Sequence, residues 1–86
     1  MTVYGLINRY QQHNPHGHFF DRDTLRFFGE RVSEMRVLKG FSTVRDCSGN
    51  VHKCYCLSSL QRKAPGGARR VYHYFDSVTF DHIIRD

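Results

Sequence analysis

Two turn signals bracket the stretch that most limits the folds open to this chain. Ser48-Gly49-Asn50 precedes residues 51–60, and Ala64-Pro65-Gly66-Gly67 follows them. Between the two signals the side chains alternate: Val51, Lys53, Tyr55 and Leu57 fall on one side, His52, Cys54, Cys56, Ser58 and Leu60 on the other. A period of two is that of a β-strand. The first signal suits a β-hairpin. The second puts Pro at i+1 and Gly at i+2 of a type II turn, because Pro presets φ and Gly accepts a positive φ without a Cβ clash. The strand therefore has a neighbour on each side. One lies in residues 36–46, rich in β-formers; the other is residues 68–75, where Val71, His73 and Phe75 oppose Arg70, Tyr72 and Tyr74.

Helical spacing marks the rest. Val3, Leu6, Ile7 and Tyr10 fall at i, i+3, i+4 and i+7, predicting a helix over residues 3–13 capped by Thr2 and stopped by Asn14-Pro15. A second helix is expected after Phe20, with Asp21 as N-cap, Asp23 in the first turn, and Leu25, Phe28, Val32 and Met35 on its apolar face. Phe20 and Leu25 have the spacing of a hydrophobic staple. Phe75-Asp76 followed by Thr79-Phe80 repeats that device and predicts a third helix at the C-terminus. The expected order is α-α-β-β-β-α: an α+β fold, a three-stranded antiparallel β-meander with two N-terminal helices and one C-terminal helix. At 86 residues the chain makes a single domain, 1–86.

Several function classes are disfavoured. No apolar run approaches the roughly 20 residues of a membrane span. Residues 1–10 lack the basic start and apolar stretch of a signal peptide, so a cytoplasmic location is expected. Three cysteines, Cys47, Cys54 and Cys56, are an odd number and read as free thiols. His52, Cys54 and Cys56 share a strand face, but zinc sites commonly use two close ligand pairs, so the cysteines are expected to pack as small apolar residues under the helices and no metal is expected. His13, His16 and His18 read as a solvated loop around Pro15 and Gly17. Glu30 and Glu34, four apart on the expected second helix beside Arg26 and Arg31, read as a surface ion-pair array. No Walker, dinucleotide or nucleophile-elbow motif is present, so no catalytic residue and no cofactor are expected.

The formal charge is +5, and its distribution is uneven. From Gln61 to Tyr74 there are four cations, Arg62, Lys63, Arg69 and Arg70, and no acid. Arg70, Tyr72 and Tyr74 share one strand face. Arginine grips phosphate and tyrosine stacks on bases, so these six residues form the expected partner-binding site. The plainer alternative is a charged hairpin that keeps an edge strand from pairing with other chains.

Phe27-Phe28-Gly29-Glu30-Arg31-Val32-Ser33-Glu34-Met35-Arg36, Leu57-Ser58-Ser59-Leu60-Gln61-Arg62 and Gly66-Gly67-Ala68-Arg69-Arg70-Val71-Tyr72-His73-Tyr74-Phe75 resemble short uncharacterised proteins of phages and mobile elements of Gram-positive bacteria. The resemblance spans most of the chain and implies a context, not an activity. Such proteins, the anti-CRISPR and other anti-defence types among them, often act by binding host machinery. The expected partner is then nucleic acid or a host nucleoprotein complex such as a CRISPR effector, in the host cytoplasm. The alternative is a protein–protein interaction module or structural phage accessory protein without nucleic-acid contact. Exposed edge strands of a short meander also allow a homodimer by sheet extension.

Overall fold

The computed structural model describes residues 1–15, 20–21, 26–27, 30–63 and 66–85. Helix α1 is Val3–His13. Thr2 Oγ1 accepts a hydrogen bond from the Gly5 amide at 3.0 Å, one of the donors a helix start leaves unpaired. Gly5 makes that approach possible, since a Cβ there would lie 2.9 Å from the same oxygen. Asn14 ends the helix, its amide bonded to the Tyr10 carbonyl. None of the described helices is long and apolar enough to cross a membrane.

After α1 the described residues form seven strands and their connections: β1 Phe20–Asp21, β2 Arg26–Phe27, β3 Glu30–Val37, β4 Ser42–Arg45, β5 Val51–Lys63, β6 Gly67–Asp76 and β7 His82–Ile83. All neighbours are antiparallel, in the order β1-β2-β3-β5-β6-β7, with β4 also on β5. Strand β5 is long enough to carry β4 along its first half (Arg45 opposite Val51) and β3 along its second (Val37 opposite Leu57, Val32 opposite Gln61). Past β4 and β7, Asp46 and Arg85 form an isolated bridge, so β4, β5, β6 and β7 curl until their outer edges meet at one end.

The period of two along β5 separates two apolar regions. On one face Leu57 and Phe75 join Val32, Leu6, Ile7 and Phe80 in the main core, with Tyr10 edge-on to Phe75 at 5.4 Å between ring centres. The opposite face, within the curl, buries Val44, Cys54 and Cys56. Small residues suit that inner surface, where curvature crowds side chains together.

Two expected helices do not appear among the described residues. Residues expected in the second helix form β3, because its three-residue apolar spacing has another cause. Ser33 pairs with Leu60 and Arg36 with Ser58, so β3 holds one extra residue in a bulge, and Glu34 there has φ 49°. The bulge resets the alternation, so Val32, Met35 and Val37 all reach the core. Residues 22–25 and 28–29, including Asp23, Leu25 and Phe28 of that expected helix, lie outside the described residues. The C-terminal helix is replaced by a turn. Asp76 Oδ1 accepts from the amides of Val78 and Thr79 at 2.8 and 3.0 Å, the bonds an N-cap would make, but they close an Asx turn. Phe80 then takes φ 60° and drops into the core, and the chain rejoins the sheet as β7. The meander of three strands is thus a seven-stranded sheet.

Candidate nucleic-acid interface

Register decides which basic side chains can act together. With α1 packed over Leu57 and Phe75, residues of the other parity share the second face. In the part of that face beyond the curl, Arg36, Ser58 and Tyr72 form one cross-strand row. Leu60 and Arg70 form the next, opposite Ser33. One step further lies Arg62, opposite Ala68. Arg31 alternates with the core residue Val32, so it lies on this face beside Arg62 as the register continues, and it sits opposite Arg26 of β2. The result is a transverse row of Arg26, Arg31 and Arg62, with Arg36, Arg70 and Tyr72 behind it.

All five of those arginines are exposed, and Tyr72 keeps 50% of its surface; Tyr74 is half-buried at the border with the curl. Among the described residues Arg31, Arg36 and Arg62 have no ion-pair partner. Like charges facing each other across strands repel, which an anion would relieve. Arg70 is differently placed. Its Nη1 donates to the Glu34 carbonyl at 3.2 Å and to Ser58 Oγ at 3.4 Å, and Nη2 lies 3.9 Å from Glu34 Oε2. The guanidinium is thereby held beside the bulge by Glu34 and Ser58.

The structure divides the six residues expected from sequence. Arg62, Arg70, Tyr72 and Tyr74 come together on the second face. Arg69 points to the helix-bearing side, where its Nε donates to Gln61 Oε1 at 3.2 Å. The Lys63 side chain and residues Ala64 and Pro65 of the expected turn lie outside the described residues. Arg26, Arg31 and Arg36 were not part of the expected site. Placing Arg26 and Arg31 on a helix among glutamates hid them, and the signal that finds them is the strand alternation on either side of the bulge.

The opposite end of the same face carries acid. His52 Nε2 lies 2.8 Å from Asp46 Oδ2, and its Nδ1 lies 2.9 Å from Asp76 Oδ2. Carboxylates only accept, so both ring nitrogens donate and the ring is favoured as imidazolium. The bonds to Asp46 and then Asp76 raise the His52 pKa above its ordinary value. The Asp46 carboxyl is lowered chiefly by His52, and that of Asp76 chiefly by the Thr79 amide and then His52. This trio ties the β4–β5 turn to the β6–β7 turn and leaves positive charge concentrated at the other end.

The remaining reactive side chains differ in burial. Burial pushes the Cys54 thiol up to about 11 and raises that of Cys56, keeping both protonated at neutral pH, while Cys47 is exposed. No group of three or more metal-binding side chains gathers among the described residues. His13 is exposed and stacks on Phe80, and His16 and His18 lie outside the described residues. His73 Nδ1 and His82 Nε2 meet at 3.3 Å, and burial lowers both pKa values, His73 to about 4. A groove of about 300 Å³ is lined by Met1, Val37, Leu38, Lys39, Phe41 and Tyr55, with Lys53 Nζ 4.4 Å from the centre of the exposed Phe41 ring.

No family model, curated protein or solved structure matches this chain.

Proposed function

We propose that this domain binds nucleic acid on the second face of its sheet. Arg31, Arg36, Arg62 and Arg70 would meet phosphates, and Tyr72 and Tyr74 would border the bases. One observation carries the reading: Arg31 and Arg62 each adjoin the Val32–Gln61 pair that joins β3 and β5, and both are exposed with no ion-pair partner among the described residues. Sequence-independent phosphate contact is what such a basic face supplies, and it dominates nucleic-acid affinity. The same surface would engage nucleic acid held in a host nucleoprotein, the form that inhibition of a defence complex would take.

The test is fluorescence anisotropy with a labelled oligonucleotide at low salt. Binding is expected for the wild type. It should weaken in Arg31→Ala/Arg62→Ala and persist in Arg69→Ala, whose side chain is on the other face. Absence of binding at low salt would defeat the proposal. Host protein captured after nuclease treatment, with no oligonucleotide binding, would move the function to a protein contact.

A further inference from the structure

Resting on that reading, we infer that the ligand is an unpaired strand, RNA or DNA, and that Tyr72 is the platform for one of its bases. Three observations converge. The first is the width of the basic face. It runs across β2, β3, β5 and β6, three interstrand spacings, or about 14 Å of backbone before side chains are added. The major groove of B-DNA is about 12 Å wide and takes a helix or a two-stranded ribbon. This slab is too broad to enter it, and the paired bases within a duplex would stay out of reach.

The second observation is the Tyr72 ring itself. It is half exposed and sits in one row with Arg36, with Ser58 between them. Two interstrand spacings separate Arg36 from Tyr72, about 10 Å. A base laid on the ring would leave its backbone within reach of Arg36 on one side and Arg70 two residues back along β6. A ring face can be covered only by a base not already stacked in a duplex.

The third is preorganisation. Arg70 is held by the Glu34 carbonyl and Ser58 Oγ, and Glu34 itself occupies a positive-φ bulge. Bulges re-aim strands and side chains beside functional sites. Here the bulge supplies the carbonyl that fixes the guanidinium next to the tyrosine. The Asp46–His52–Asp76 trio marks the far limit of the track, because its carboxylates would repel phosphate.

The experiment is a competition assay with oligonucleotides of about 12 nucleotides, within the roughly 4–16 that small β-domains cover. Unlabelled single-stranded DNA, single-stranded RNA and duplex DNA of one sequence compete for the protein against a labelled single strand. Either single strand should compete at least about tenfold better than the duplex, the margin that about 1.4 kcal/mol gives. Tyr72→Ala should lose about 5- to 150-fold in single-strand affinity, the range for one stacked base, and Tyr72→Phe should keep most of it. Equal competition by duplex, or unchanged single-strand affinity in Tyr72→Ala, overturns this inference while leaving nucleic-acid binding in place. No binding of any oligonucleotide overturns both. Circular dichroism of each variant confirms that the sheet is intact.

Discussion

Leu57→Ala puts the fold to its sharpest test. Leu57 is fully buried at the midpoint of β5, opposite Val37 on one side and His73 on the other, in the cluster with Leu6, Ile7, Val32, Phe75 and Phe80. Truncating a buried Leu removes its transfer free energy and leaves a cavity, together about 2–5 kcal/mol. A domain of 86 residues has about 4–13 kcal/mol of stability in all, so the change removes a large part of it. At about 4–8 °C per kcal/mol, a loss of about 3 kcal/mol lowers Tm by about 12–24 °C. Urea unfolding followed by circular dichroism should show a lower midpoint with an unchanged slope. Val51→Ala is the control: Val51 is on the same strand but 61% exposed, and should move stability by no more than about 0.5 kcal/mol. A Leu57→Ala cost below about 1 kcal/mol would refute the placement of α1 over this face.

Two further outcomes follow from individual side chains. The His52 pKa is raised on folding, so its contribution is complete below about pH 6.5 and is lost as pH rises through the folded value; the lowered Asp46 and Asp76 pKa values make theirs complete above about pH 4 and lost on further acidification. The Tm gap between wild type and His52→Gln should therefore be larger near about pH 5.5 than near about pH 9. The lowered pKa values of His73 and His82 act oppositely in the acid range, so only this difference isolates the trio. Ser59 is fully buried and its hydroxyl has no hydrogen-bond partner among the described residues, so Ser59→Ala should be neutral or stabilising by about 1 kcal/mol in the same urea assay. A clear loss of stability would show that the hydroxyl is satisfied.

What was legible in the sequence was local. Helix α1 follows from its apolar spacing, the Thr2 cap and Asn14-Pro15, and β5 and β6 follow from alternation between strong turn signals. Both failures came from signals with two structural meanings. A bulge at Glu34 spaces core residues three apart, as a helix would, and an aspartate bonded to amides two and three residues on can start a helix or close a turn. The first error carried into the site, because it assigned Arg26 and Arg31 to a helix face. Closure through Asp46 and Arg85 joins residues 39 apart, with no local pattern to announce it. The hairpin arginines were visible as a charge cluster, and alternation put Arg70 with Tyr72; what register adds is that Ser58 and Leu60 lie across from them, and Arg36 and Ser33 beyond.

The central claim is that four arginines of one sheet face meet phosphate, and the salt dependence of binding tests it most directly. For a single strand, log Kobs falls with log[salt] at about −0.7 per neutralised phosphate, so Arg31, Arg36, Arg62 and Arg70 predict a slope of about −3. Arg31→Ala/Arg62→Ala should halve it to about −1.4, and Arg69→Ala should leave it unchanged. A slope near zero in the wild type, or one that the double variant does not alter, would contradict the claim.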